Sequence, residues 1–223
     1  CVRDAGVGGS NPLTPTIFLT SLDDFPSRGR AFACSRAKLC RMSPLLSPAE
    51  IVAFWTEAGP EKWFAKDAAF DVAFTERCRA SHFAAARREL DHWTETPEGT
   101  LALIILLDQL PRNAFRDTAH MFATDSLALM FARAAIARGD DRKVAAVLRP
   151  FILMPLMHSE SLADQEMLLT LLDEAETPDT FRFAVIHRDI IARFGRFPHR
   201  NACLGRETTT DEAAFLASDG FKG

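Results

Sequence analysis

Residues 101–107 read LALIILL, seven apolar residues without a break, followed at once by Asp108 and Gln109. A helix that is apolar on every side has no face for water, so it must sit inside a shell of other elements. The chain supplies that shell in one form. Ser47, Pro48, Ala49 and Glu50 make a capping box with proline at the first helical position, and Ile51, Phe54 and Trp55 follow at helical spacing. Asp67 opens a long amphipathic stretch to about Leu90, and Thr96, Pro97 and Glu98 start the next. Thr124 and Asp125 cap another that ends at Gly139. Residues 143–156, 160–175 and 179–194 carry three more patterns, and Thr210, Asp211 and Glu212 begin a short last one. Strand alternation is missing throughout. The expected fold is all-α, with antiparallel helix hairpins joined by short connections.

Regular patterning begins near Met42. Residues 1–41 are rich in Gly, Ser, Pro and Arg and have no period. We expect two parts: an extension over 1–41, read as disordered or as an upstream reading-frame artefact ahead of a start at Met42, and one helical domain over 42–223. Charge divides the same way. Residues 42–223 carry 20 basic against 27 acidic side chains, a poor surface for a general nucleic-acid binder, which needs a dominant basic face. Against that acidic background, 182–206 holds six Arg and one acid. A local basic cluster suits a small anion or an internal acidic partner. Seven residues is far short of the roughly 20 that span a bilayer, and no membrane association is expected. Five Cys without CxxC spacing argue for a reducing, cytoplasmic setting rather than a disulfide framework.

Three polar constellations stand out. The first follows the apolar run: Asp108, Gln109, Arg112 and Asn113, with Pro111 expected to end or kink the helix at Leu110. A carboxylate there needs a partner, either Arg112 at i+4 or an arginine from elsewhere. The second is HSESLADQE: His158, Ser159 and Glu160, then Asp164, expected to serve helix capping, and Gln165, which lines up with an apolar side. The third is His187, inside the apolar stripe of its helix and expected to be a core histidine, with Asp189 and Arg193 as an i, i+4 pair. Beyond it lies the cationic loop with Arg196, His199, Arg200 and Asn201, for which Asp108, Glu160 and Asp164 are natural partners. "LPRN" at 110–113 and "FPHRN" at 197–201 both set Arg-Asn just after a helix-ending proline. Two such corners facing each other make an anion pocket or a structural network.

No cofactor or metal is expected. GVGG lacks the spacing of a dinucleotide fingerprint, HRD at 187–189 lacks the rest of a kinase loop, and His158, Glu160, His187 and His199 follow no metal-ligand spacing.

The motifs FWTEAGPEKWFAKDAAFD, LLDQLPRNAFRDT, FILMPLMHSESLADQE and HRDIIARFGRFPHRN, in that order, resemble a widespread bacterial family of helical proteins, domain of unknown function 924. The resemblance covers about Ser47 to Leu216. It implies helix hairpins stacked as in tetratricopeptide repeats, and it brings no reaction with it. Its motif positions fall on Trp55, Trp63, Phe64, the polar sets above without Asp164 and Arg193, and Arg188, Phe197 and Pro198. Thr56 and Leu156 stand where the family commonly has aromatics.

Two functions are compatible with these residues. One is a binding module for a protein, a peptide or a small anion, with Trp55, Trp63 and Phe64 either in the core or as partner anchors. The other is a small-molecule hydrolase or transferase using Asp108, Arg112, His158, Glu160, His187, His199 and Arg200.

Overall fold

A computed structural model describes residues 44–218. The expectations for residues 1–41 and for a start at Met42 lie outside the described residues. Every regular element described is helical. In chain order they are α1 (Pro48–Ala58), α2 (Pro60–Trp63), α3 (Ala68–Ala86), α4 (Pro97–Ile104), a π turn (Ile105–Gln109), α5 (Leu110–Ala114), α6 (Asp125–Ala137), α7 (Arg149–Met157), α8 (Leu162–Leu171), α9 (Pro178–Phe194) and α10 (Thr210–Ala217), with short 3-10 turns between them. Among the described residues, no helix is long and apolar enough to cross a membrane.

The expected caps form at the heads of α1, α3 and α4. Ser47 and Glu50 close a capping box on α1, and Asp67 accepts the Ala69 and Phe70 amides at the head of α3. Thr96 accepts the Gly99 amide at the head of α4. Gly99 has no alternative there, because a Cβ would lie 2.1 Å from the Trp93 carbonyl oxygen. α4 packs against α1, α6 and α7, and all seven residues 101–107 are buried. Trp55 and Trp63 join this core beside Phe70, Phe74 and Phe151, with Trp63 Nε1–H donating to the Trp55 carbonyl at 2.7 Å. Phe64 stacks along Phe151 but stays 70% exposed.

Pro111 does not end the helix. The chain instead widens by one residue: the Leu110 amide bonds to the Ile105 carbonyl, and Pro111 falls in the first turn of α5, where a missing N–H is tolerated. The widened turn leaves two carbonyls without their usual helical donors, and side chains take them. His82 Nδ1–H donates to Leu106 at 2.8 Å, and the Thr124 hydroxyl donates to Leu107. Thr124 therefore serves this turn and makes no side-chain cap on α6. A carbonyl only accepts, so His82 carries its proton on Nδ1, and burial lowers its pKa and keeps it neutral.

Replacing Thr124 by valine keeps the shape and removes the donor from a buried carbonyl. We expect a loss of about 1–3 kcal/mol in urea unfolding. A loss below about 0.5 kcal/mol would show that the Leu107 carbonyl finds another donor.

Candidate functional site

The π turn sets Asp108 where it has no exposed surface at all. Three elements solvate it. Its Oδ1 accepts from His158 Nδ1 at 2.8 Å and lies 3.1 Å from Arg112 Nη1, and its Oδ2 accepts from the Gln109 amide. Arg112 thus keeps the i+4 register despite Pro111. The same guanidinium grips Asp125, in the first turn of α6, through two bonds of 3.0 Å. Burial alone would push the Asp108 carboxyl up. Arg112 and His158 outweigh it and hold it below the usual carboxylate range.

His158 closes the C-terminal end of α7 and does not cap α8. Burial lowers its pKa and the Arg112 charge adds to that, with Asp108 pulling the other way, so the ring is neutral near pH 7. Its Nδ1–H is committed to the Asp108 carboxylate, which fixes the tautomer and leaves the Nε2 lone pair for the other side. His158 lines a cleft of about 320 Å³ together with Phe122, Asp125, Glu160, Arg200 and Arg206, among others.

Arg200 comes from the 3-10 turn Pro198–Arg200. Its guanidinium lies between two rings, 4.7 Å from the Phe122 centroid and 4.4 Å from that of Phe197. Nη1 is 3.5 Å from Asp125, and the buried Nε has no hydrogen-bond partner among the described residues. Burial and Arg112 bring its pKa down to about 10, so it stays charged at neutral pH. Glu160 accepts both ends of the Arg206 fork, at 2.8 and 2.9 Å, and the Phe197 amide at 2.9 Å.

The structure therefore gathers Asp108, Gln109, Arg112, His158, Glu160 and Arg200 at or just behind one cleft. Of the other expected site residues, Asn113, Gln165, Arg196 and Asn201 go elsewhere, while His187 and His199 stay near His158 and Arg200, beside Phe197. Asn113 bonds to Asp71, which also holds Arg116, and so ties α5 to α3. Gln165 is fully buried, with Nε2 donating to the Met157 and Ser159 carbonyls at the end of α7. Arg196 and Asn201 both reach Glu212 on α10. His187 donates from Nδ1 to the Phe183 carbonyl and meets Phe197 edge-on, and His199 tilts against the same ring. The expected partners shift as well: Asp164 pairs with Arg133, and Asp189 pairs with Arg188 rather than Arg193. Phe122, Asp125 and Arg206 are additions to the expected site. Arg206 lies within the cationic stretch, but Asp125 reads as a cap and Phe122 gives no signal. Among the described residues, no group of three or more His, Cys, Asp or Glu could hold a metal ion.

Burial depresses the His187 pKa to about 4 despite the Phe183 carbonyl. An unfolded histidine protonates near pH 6.5. The stability that neutral His187 contributes is therefore complete above about pH 6.5 and is lost as pH falls toward 4. His187→Asn keeps a donor for the Phe183 carbonyl and cannot titrate. It should flatten the fall of unfolding free energy over that window by up to about 1.4 kcal/mol per pH unit. Parallel pH curves for the two proteins would show that His187 does not titrate in this way.

The family described as "Bacterial protein of unknown function (DUF924)" matches residues 51–220, which take in the whole cleft. No curated protein matches the chain. Among solved structures, the protein of unknown function ATU0120 from Agrobacterium tumefaciens is similar: it is 54% identical with a TM-score of 0.72, over 76% of this chain and 96% of that one. On the span and order of these matches, the chain belongs to the DUF924 family of bacterial proteins.

Proposed function

We propose that the protein binds a small oxyanion, a carboxylate or a phosphate, in the cleft between α6, the end of α7 and the loop that carries Arg200 and Arg206. The observation that carries this reading is Arg200. A guanidinium presents five donors in a planar fork suited to two oxygens of one anion. Here the side chain is 8% exposed and lies against two aromatic rings, with Asp125 within ion-pair distance at 3.5 Å. A buried N–H without an acceptor costs about 1–3 kcal/mol, so a site that keeps one benefits from a ligand that supplies the missing oxygen. The cleft volume falls within the range of small-molecule sites, roughly 300–1,000 Å³.

A second reading, chemistry on the bound anion, is favoured by the Asp108–His158 pair. A carboxylate orienting a neutral imidazole toward a cleft is the arrangement that general-base catalysis uses. Free thiols at Cys78 and Cys203 suit a cytosolic setting for either reading.

A thermal-shift screen with sulfate, phosphate and small carboxylic acids tests the anion seat. Saturating an anion at about 100 times its Kd should add roughly 2.7 kcal/mol of stability and raise Tm accordingly. Arg200→Lys keeps the charge but not the fork, and should abolish the rise in a protein that still unfolds cooperatively. An unmoved Tm across all of these anions, or an equal rise in Arg200→Lys, would sink the proposal.

A further inference from the structure

We infer that this cleft takes up a proton together with its anion, and that His158 Nε2 is the acceptor. The inference rests on the anion reading above and adds a chemical step to it.

The fixed charges around the cleft are balanced before any ligand arrives. Arg112, Arg200 and Arg206 stand against Asp108, Asp125 and Glu160. Each carboxylate has an arginine within ion-pair distance. An anion seated on Arg200 therefore brings a negative charge that no standing cation is free to neutralise. In a partly buried site such a charge is strongly unfavourable unless a proton or a cation accompanies it.

The groups facing His158 decide where that proton goes. From the π turn comes Asp108, hydrogen-bonded to Nδ1 and ready to stabilise an imidazolium. From α5 comes Arg112, whose charge opposes protonation, and from α6 comes Asp125, which favours it. The loop contributes Arg200 and His199, and α9 contributes His187. Burial holds both of these imidazoles down at about 4. Glu160, two residues along, is already paired with Arg206. His158 lines the cleft itself and has a carboxylate behind it. An anion within about 4–6 Å of Nε2 tips the balance toward the charged ring, offsetting Arg112. The new Nε2–H then points at the bound oxyanion and donates to it. In bond terms, one N–H forms at Nε2 with a proton from solvent, and no other bond changes.

The ligand class narrows as a result. The cleft selects an oxyanion whose oxygens reach both the Arg200 fork and an imidazolium donor. Its binding weakens as pH rises, because the proton becomes scarcer.

Sulfate is the probe, since it keeps its charge over the working range and any proton taken up must come to the protein. Calorimetric titration of the full chain in two buffers of different ionisation enthalpy counts protons per sulfate. From about pH 6 to about pH 8 we expect uptake approaching one proton per anion, with affinity falling up to about tenfold per pH unit. His158→Asn places an amide donor toward Asp108 and has nothing at the Nε2 position. It should bind sulfate more weakly than the native protein does near pH 6, and with an affinity independent of pH. In the native protein, the His158 ring nitrogen resonances should move toward imidazolium values as sulfate is added, a readout that does not depend on the variant folding. Sulfate binding without proton uptake overturns the inference and leaves the anion seat standing. Undiminished uptake in His158→Asn also overturns it. Absence of sulfate binding at every pH overturns the anion seat itself, and the inference with it.

Discussion

A carboxylate with no contact to water must be solvated by the protein, and the arrangement of this molecule follows from how Asp108 is solvated. Removing one partner from such a group leaves a bare buried charge, typically worth about 3–5 kcal/mol of stability. Asp108 meets that requirement through the end of α7 by His158 and through α5 by Arg112. Arg112 passes the connection to Asp125 at the head of α6, and Asp125 passes it to Arg200. Ion pairs and hydrogen bonds thus run without a gap from the centre of the core to the wall of the cleft. The positions of His158 and Arg200 are set by groups that the fold cannot do without.

Most of the cationic loop serves the fold. Arg196 and Asn201 bind Glu212 and anchor α10, and Arg206 binds Glu160. Phe197, fully buried, gathers His187, His199 and Arg200 around one ring. Against that background Arg200 differs in kind. Its charge is held by aromatic faces and by carboxylates of which Asp125 comes within ion-pair distance, an arrangement that fixes where the guanidinium lies and leaves part of its donor capacity unused.

The local rules are legible in the sequence and the long-range ones are not. Caps at Ser47, Asp67 and Thr96 depend on residues two or three apart, so a short stretch of chain is enough to place them. The burial of residues 101–107 follows from their having no polar face. Partner choice is harder, because it spans distance along the chain. Asp108 meets His158 across 50 residues, Arg112 meets Asp125 across 13, and Glu160 meets Arg206 across 46. Nothing in composition distinguishes Arg206 from Arg196 as the partner of Glu160. Pro111 misleads for a different reason. Proline forbids one hydrogen bond, and the usual outcome is a helix end, but a one-residue widening satisfies the same steric demand when neighbouring side chains can take the freed carbonyls. His82 and Thr124 do so here, and both lie far from Pro111 in sequence.

The widened turn has a consequence for how this protein can change over generations. A π turn amounts to an α-helix with one residue inserted. Deleting one residue from within 106–109 would heal the helix, and the bond from the Leu110 amide to the Ile105 carbonyl would survive as an ordinary i+4 bond. Asn113 and Arg116 could stay on Asp71, and Arg112 on Asp125. The loss would fall on the turn itself, where Asp108 and Gln109 would be removed or re-aimed. The extra residue is therefore a separable feature of this helix, and it should be present wherever descendants of this chain keep the cleft.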